Sequence, residues 1–210
     1  LRESLADAPT IQTAYLAVRG LFSRDEVSEL LAPGPLRDAG RDLDAAAALG
    51  ALAPPLPDDP AAATGILELR GYMHNQLLRD TDAMSMAHSL EVRVPFLDHS
   101  LVEFAARLPG HFRTNGHPAK WLLLRALGDR LPAETGRRKR GFAFPLGDWL
   151  RGPLRPRVED ALRDGAGIFR PEAVAALRAG VDAGRVHWSR LWAPVVLTLW
   201  LRAAGVSDSV

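Results

Sequence analysis

The stretch SLEVRVPFLD, Ser89 to Asp98, threads three charged residues (Glu91, Arg93 and Asp98) between apolar ones. Pro95 disfavours the helical region for Val94, so the run around Glu91 is expected to be extended. On an extended run, residues two apart share a face. Glu91 and Arg93 therefore point one way, and Leu90, Val92 and Val94 are expected to face a core. Two readings follow. Glu91 pairs with Arg93 at the edge of a core crossing, or it lines a cleft where a fixed carboxylate handles protons.

A second candidate is Lys139, inside RRKRGFAFP, Arg137 to Pro145. Of the 26 Lys and Arg residues only Lys120 and Lys139 are lysines. An ammonium is a compact point charge, whereas a guanidinium is a planar fork. The glycine and aromatics that follow would let backbone approach whatever the cations face. One lysine among many arginines is also what chance gives, and a short basic cluster is commonly a solvated face. A nucleic-acid surface is the third and weakest reading of Arg137–Arg140; the expected partners include no nucleic acid and no membrane.

The elements that must hold these residues read as helices almost throughout. Ile11, Tyr15, Val18 and Leu21 recur at helical spacing. Ser23 to Glu26 (SRDE) is a capping box for a second helix that APGP, from Ala32, stops. The Ala-rich run from Asp42 predicts a third. PPLPDDP (Pro54–Pro60) is a linker, with Asp59 as N-cap and Pro60 at the first helical position. The longest helix is expected from Ala61 to about Asp80, with Ile66, Leu69, Met73 and Leu77 on one face, and a short separate helix from Asp82 to Ser89. Asp98 caps the next, whose Leu101, Phe104, Ala105 and Leu108 make an apolar stripe. Pro118 opens a helix through Leu127. Further helices are expected near Pro145–Leu150, Leu154–Arg163 and Pro171–Ala179. The last, from Trp188, contains Pro194, which removes one backbone bond and should kink it. No βα alternation is present, so the reading is mainly α, with residues 1–60 preceding the motif region and 61–210 carrying it.

Composition narrows the classes. The chain is 47% hydrophobic and 24% charged with a formal net charge of +1, ordinary for a globular protein. The charge is uneven: residues 1–60 hold 5 Arg against 10 acids, and residues 113–160 hold 11 basic residues against 5 acids. Such a basic second half suits an anionic partner, or a solvated face. With no cysteine, disulfides and thiolate metal sites are out, and the six histidines form no HExxH, so no metal site is expected. There is no phosphate-binding GxxxxGK[ST] and no GxSxG. The absence of an 18-residue apolar run and of a signal peptide suggests a cytoplasmic protein.

Four blocks in order resemble the synthetase domain of glutamine-dependent asparagine synthetases: LLRDTDAMSMAHSLEVRVPFLDHSLVEFAARLP (Leu77–Pro109), KWLLLRAL (Lys120–Leu127), LPAETGRRKRGFAFPLGDWL (Leu131–Leu150) and RLWAPVVLTLWL (Arg190–Leu201). The resemblance implies the helical C-terminal portion of a PP-loop α/β synthetase domain, without its nucleotide-binding sheet. In that family ATP and Mg²⁺ convert the side-chain carboxylate of aspartate to an adenylate. Ammonia from a glutaminase domain then displaces AMP to give asparagine. Carried over by position, the resemblance makes Glu91 the catalytic carboxylate, Lys139 the cation over the α-phosphate, and Ser89 and Leu90 the contacts to ATP, largely through backbone.

The family's SGGxDS loop and its downstream acidic segment are missing from these 210 residues, as is a cysteine for the glutaminase. The expectation is an incomplete ligase, inactive alone, whose expected partners are the PP-loop half and, through exposed apolar surface, a second copy as a homodimer. Related amidotransferases, β-lactam-forming synthetases and lasso-peptide cyclases share the chemistry. A non-catalytic helical interaction module is the alternative outside it.

Overall fold

The computed structural model describes residues 10–51, 55–113, 120–130, 144–165 and 167–205. Helix is the only regular element among them apart from one isolated antiparallel bridge, between Leu31 and Phe169. The helices group into two compact units that alternate along the chain.

One unit joins residues 19–44 to the described residues beyond 141. It contains α2 (Arg24–Leu30), α3 (Pro35–Asp42), α9 (Leu146–Arg151), α10 (Arg155–Asp164), α11 (Pro171–Asp182) and α12 (Trp188–Ala203). Its core is Leu150, Val158, Ala161, Val181, Leu191 and Val195. A satellite cluster of Leu30, Leu31 and Phe169 is closed by two backbone bonds, Arg170 N–H to Leu30 O and Ala32 N–H to Ile168 O, both 2.9 Å. The capping box of α2 forms as its sequence predicts: Ser23 Oγ accepts from Glu26 N–H, and Glu26 reaches back to Ser23 N–H at 2.8 Å. The other Glu26 oxygen binds Arg190 at 2.6 Å, and the Arg190 guanidinium lies 4.5 Å from the Phe22 ring centroid. This ties α2 to α12.

Helix α12 runs on through Pro194, which is buried; Thr198 Oγ1 donates to Pro194 O at 3.0 Å, so this buried hydroxyl is satisfied. Trp188 and Trp192 pack on the core, whereas Trp200 stays exposed. Helix α3 is absent from the expectation, because APGP was read as a stop alone. It is also a start, with Gly34 as N-cap and Pro35 in the first turn.

The other unit contains α1 (Ile11–Arg19), α4 (Ala45–Ala51), α5 (Pro60–Glu68), α6 (Arg79–Met86), α7 (His99–Arg107) and α8 (Trp121–Leu127). The expected start of α8 at Pro118 lies outside the described residues. Between α5 and α6, Leu69–Leu78 forms a π-helix. The two helices expected at 61–80 and 82–89 are therefore one continuous run from Pro60 to Met86, since no Gly or Pro near Asp80 breaks it. The π stretch also corrects the expected apolar face. Its wider turn rotates side chains away from the i, i+3, i+4, i+7 stripe. The residues buried are Ala62, Ala63 and Leu67; Leu77 is exposed, and no residue of the π stretch is buried.

Candidate functional site

The segment that carries Glu91 begins where α6 ends. Leu90 N–H donates to Ser85 O (2.9 Å) and Ser89 N–H to Met86 O (3.0 Å). These are the six-to-one and five-to-two bonds of a Schellman helix end. Its pivot has to take the left-handed conformation, normally a glycine; here it is Ser89, at φ +56°. Residues 90–94 have no regular secondary structure, and Val94 sits at φ −119°, ψ 76°, held out of the helical region by Pro95. A single 3₁₀ turn, Pro95–Leu97, follows, and Asp98 caps α7 by accepting from Leu101 N–H at 3.1 Å. The helix break and the cap agree with the sequence expectation.

Glu91 and Arg93 do share a face, and they pair at 2.8 Å. The pair is open to water, with side chains 71% and 82% exposed. An ion pair so exposed contributes at most about 1 kcal/mol. The expectation that Leu90, Val92 and Val94 face a core is overturned: they are 61%, 50% and 43% exposed. The α7 stripe is likewise uncovered at Leu101 and Phe104, and α7 buries no residue. The alternation is real but nothing among the described residues packs on either side of it. Met84, Met86 and Phe96, near Glu91 in sequence, are exposed as well.

The N–H groups of Ser89 and Leu90 are both spent on the end of α6. A ligand at this position would meet their carbonyl oxygens and the Ser89 hydroxyl rather than backbone donors. Lys139 and the RRKR cluster lie outside the described residues. Among the described residues no group of three or more His, Asp or Glu is placed to hold a metal ion.

Two carboxylates are held below their ordinary range, and neither is in the segment. Glu26 is lowered chiefly by the Ser23 N–H, and Asp59 chiefly by the Ala62 N–H. Asp59 is the predicted N-cap of α5, with Oδ1 accepting from Ala61 and Ala62 at 2.9 Å each. Its second oxygen has a role that capping rules do not suggest: Oδ2 accepts from Gly110 N–H at 2.9 Å. In the other unit, a groove between α10 and α11 is floored by Leu162, Phe169 and Val174. Its rim charges are already paired, Arg178 with Glu159 at 3.1 Å and Arg163 with Asp160 at 3.0 Å.

Comparison with known proteins decides the family. The family model described as asparagine synthase matches residues 3–202. The chain belongs to the asparagine synthase family. Asparagine synthetase [glutamine-hydrolyzing] 1 of Bacillus subtilis is 28% identical over 138 residues, 64% of this chain and 22% of the relative. A putative asparagine synthetase [glutamine-hydrolyzing] of Mycobacterium tuberculosis is 32% identical over 147 residues, 68% of this chain and 22% of the relative. A third relative, asparagine synthetase [glutamine-hydrolyzing] 3 of Bacillus subtilis, reaches 42% over 94 residues. The chain thus spans about a fifth of the length of these first two relatives. No solved structure matches it significantly. Membership of the family accords with a ligase of asparagine synthetase type. Among the described residues no helix is long and apolar enough to cross a membrane.

Proposed function

We propose that this chain supplies part of the active site of an ATP-dependent amide-forming synthetase, with Glu91 as its proton-handling carboxylate. The observation that carries the reading is the Ser89–Glu91 geometry in a member of this family: a helix ended by a serine at φ +56°, followed at once by an irregular run that leaves one carboxylate exposed and paired with Arg93. Strain of this kind persists where the surroundings over-determine it, and concentrates at sites of function.

The reaction in this reading has two steps. An oxygen of the acceptor carboxylate, that of aspartate by analogy with the relatives, attacks the α-phosphorus of ATP, and pyrophosphate leaves. Ammonia, derived from glutamine, then attacks the activated carbonyl carbon, and AMP leaves with the electron pair of the C–O bond. The attacking nitrogen must shed a proton, and Glu91 accepts it. Arg93 pairs with the carboxylate at 2.8 Å until the nitrogen nucleophile competes for it. Ser89 and Leu90 offer carbonyls and a hydroxyl to the nucleotide. Lys139 would face the negative charge that builds on the α-phosphate, where a fixed ammonium is most effective. The metal ligands and the phosphate-binding loop come from outside the described residues.

The test is Glu91→Gln in a polypeptide that also carries the nucleotide-binding half. Loss of a general acid–base group lowers turnover by about 10²–10⁴-fold. Asparagine formation should fall by at least the lower figure with unchanged circular dichroism. Wild-type turnover in that variant rejects the assignment.

A further inference from the structure

The groove between α10 and α11 lies within one compact unit and has a volume of about 430 Å³, inside the range of small-molecule sites. Leu162, Phe169 and Val174 floor it, and Pro171 and Ala175 complete its apolar lining. The floor is preformed. Phe169 is 4% exposed, and backbone bonds on either side of it, Ala32 N–H to Ile168 O and Arg170 N–H to Leu30 O, fix its place. Gly165 lines the same groove with no room for a side chain. A Cβ there would fall 2.6 Å from Thr198 Oγ1 and 3.1 Å from the Phe169 ring. A ligand would meet an apolar surface already in place, which spares it the cost of ordering the site.

The rim carries a charge that its own acids do not cancel. Glu159, Arg163 and Arg178 line the groove, two cations against one acid. Glu159 is moreover shared: its Oε1 pairs with Arg155 Nε at 3.0 Å and with Arg178 Nη2 at 3.1 Å. Asp160 pairs with Arg163 at 3.0 Å, and Asp164 is taken by Arg202 of α12. With those partners included, Arg155, Arg163 and Arg178 stand against Glu159 and Asp160, again one positive charge over. A guanidinium has five N–H donors. Each rim arginine turns one nitrogen to its acid, so donors remain for a ligand. Arg178 is the better placed, its side chain 22% exposed against 71% for Arg163. A partly desolvated cation attracts an anion more strongly than one in open water.

These features select the occupant. One excess positive charge matches a monoanion, and a guanidinium fork matches the two oxygens of a carboxylate. The floor suits a compact aromatic or branched aliphatic body. Size argues against a protein face: no large apolar side chain of α10 or α11 is exposed, so the apolar surface stops at the groove. We propose that the groove between α10 and α11 binds a small free carboxylate with an apolar body, held at its carboxylate by Arg178. The proposal does not depend on the catalytic reading of Glu91, which belongs to the other unit.

The experiment is NMR titration of the 210-residue chain with phenylacetate, alongside phenylacetamide, acetate and a short peptide ending in a free phenylalanine carboxylate. Phenylacetate should shift the Leu162 and Val174 methyl resonances saturably. Phenylacetamide, which lacks the charge, and acetate, which lacks the ring, should each bind at least about tenfold more weakly. Arg178→Gln should weaken phenylacetate about tenfold, the loss expected for a hydrogen bond to a charged group. Glu159→Gln should strengthen it about fivefold, the effect of removing a negative charge about 4 Å away in a high dielectric. A purely structural Arg178–Glu159 pair would move both variants the same way. Ala175→Trp fills the groove and should abolish the shifts, with the Val158 and Val195 methyl resonances unmoved to show an intact core. The proposal falls if phenylacetate leaves Leu162 and Val174 unmoved or if phenylacetamide binds equally well. It falls too if Arg178→Gln and Glu159→Gln change affinity in the same direction. Tighter binding of the peptide than of phenylacetate would give the groove to a protein chain end, and overturns it as well.

Discussion

Replacing Ser89 by glycine tests whether the helix end before Glu91 stores strain. Ser89 occupies φ +56° with both Schellman bonds formed. A residue with a Cβ pays roughly 1–2 kcal/mol there. Glycine escapes that cost but raises the entropy of the unfolded chain, giving back about 0.5–1 kcal/mol. The balance is a stabilisation of about 0.5–1 kcal/mol for Ser89→Gly, or roughly 1–4 °C in Tm for a chain of this size. Urea unfolding followed by circular dichroism reads it as a higher midpoint at unchanged slope. Ser89→Val makes the control, since a β-branched residue is the worst choice for positive φ, and it should destabilise. A glycine variant less stable than wild type, or a valine variant equal to it, would refute the strain argument. If the serine is retained for its hydroxyl, the stabilised glycine variant should be the poorer synthetase, the trade expected where a strained site serves activity.

Two further outcomes follow from the packing. Leu67 is fully buried in α5, so Leu67→Ala should cost about 2–5 kcal/mol by denaturant titration; a loss under 1 kcal/mol would mean the unit collapses around the gap. Glu26 has its pKa lowered in the folded state by Ser23 and Arg190. Its contribution to stability is therefore full above the ordinary glutamate range, near 4.3, and is lost as pH falls through the folded value. Glu26→Gln should be less stable than wild type at pH 7 and converge on it toward pH 3. A stability gap that stays constant across that range contradicts the assignment.

What was legible in the sequence is what local chemistry decides. Ser23 with Glu26, Asp59 with Pro60, and Asp98 each announce a helix start within four residues, and each forms. The break at Val94 follows from Pro95 in the same way. The misses are those in which a distant or repeated interaction rules. The π-helix at Leu69–Leu78 has no signature in a periodic pattern built for 3.6 residues per turn, and it moved the buried face to Ala62, Ala63 and Leu67. The second arm of Asp59 depends on Gly110, 51 residues away. Apolar alternation at Leu90, Val92 and Val94 was read as a core crossing because alternation records which side a residue faces. It does not record whether anything covers that side.

That distinction bears on what Glu91 can do. A carboxylate in water, paired with an equally hydrated arginine, is a weak catalyst, because a high dielectric screens it and its partner follows it. Two things make a carboxylate useful: a fixed position, and exclusion of water at the moment of proton transfer. The described residues contribute to the first through the Schellman end at Ser89 before the run and Pro95 after it. They provide only half of the second. Leu90, Val92, Phe96 and Phe104, in the same stretch of chain, are apolar residues that are themselves exposed to water. Covering that surface would dry Glu91 and strengthen its interaction with a nitrogen cation in one stroke, so a bound substrate or an apposed wall contributes to catalysis by what it removes. Value therefore attaches to the apolar neighbours as much as to the acid. If Glu91 acts as proposed, their exposure would leave the site hydrated when empty and let it become dry when filled.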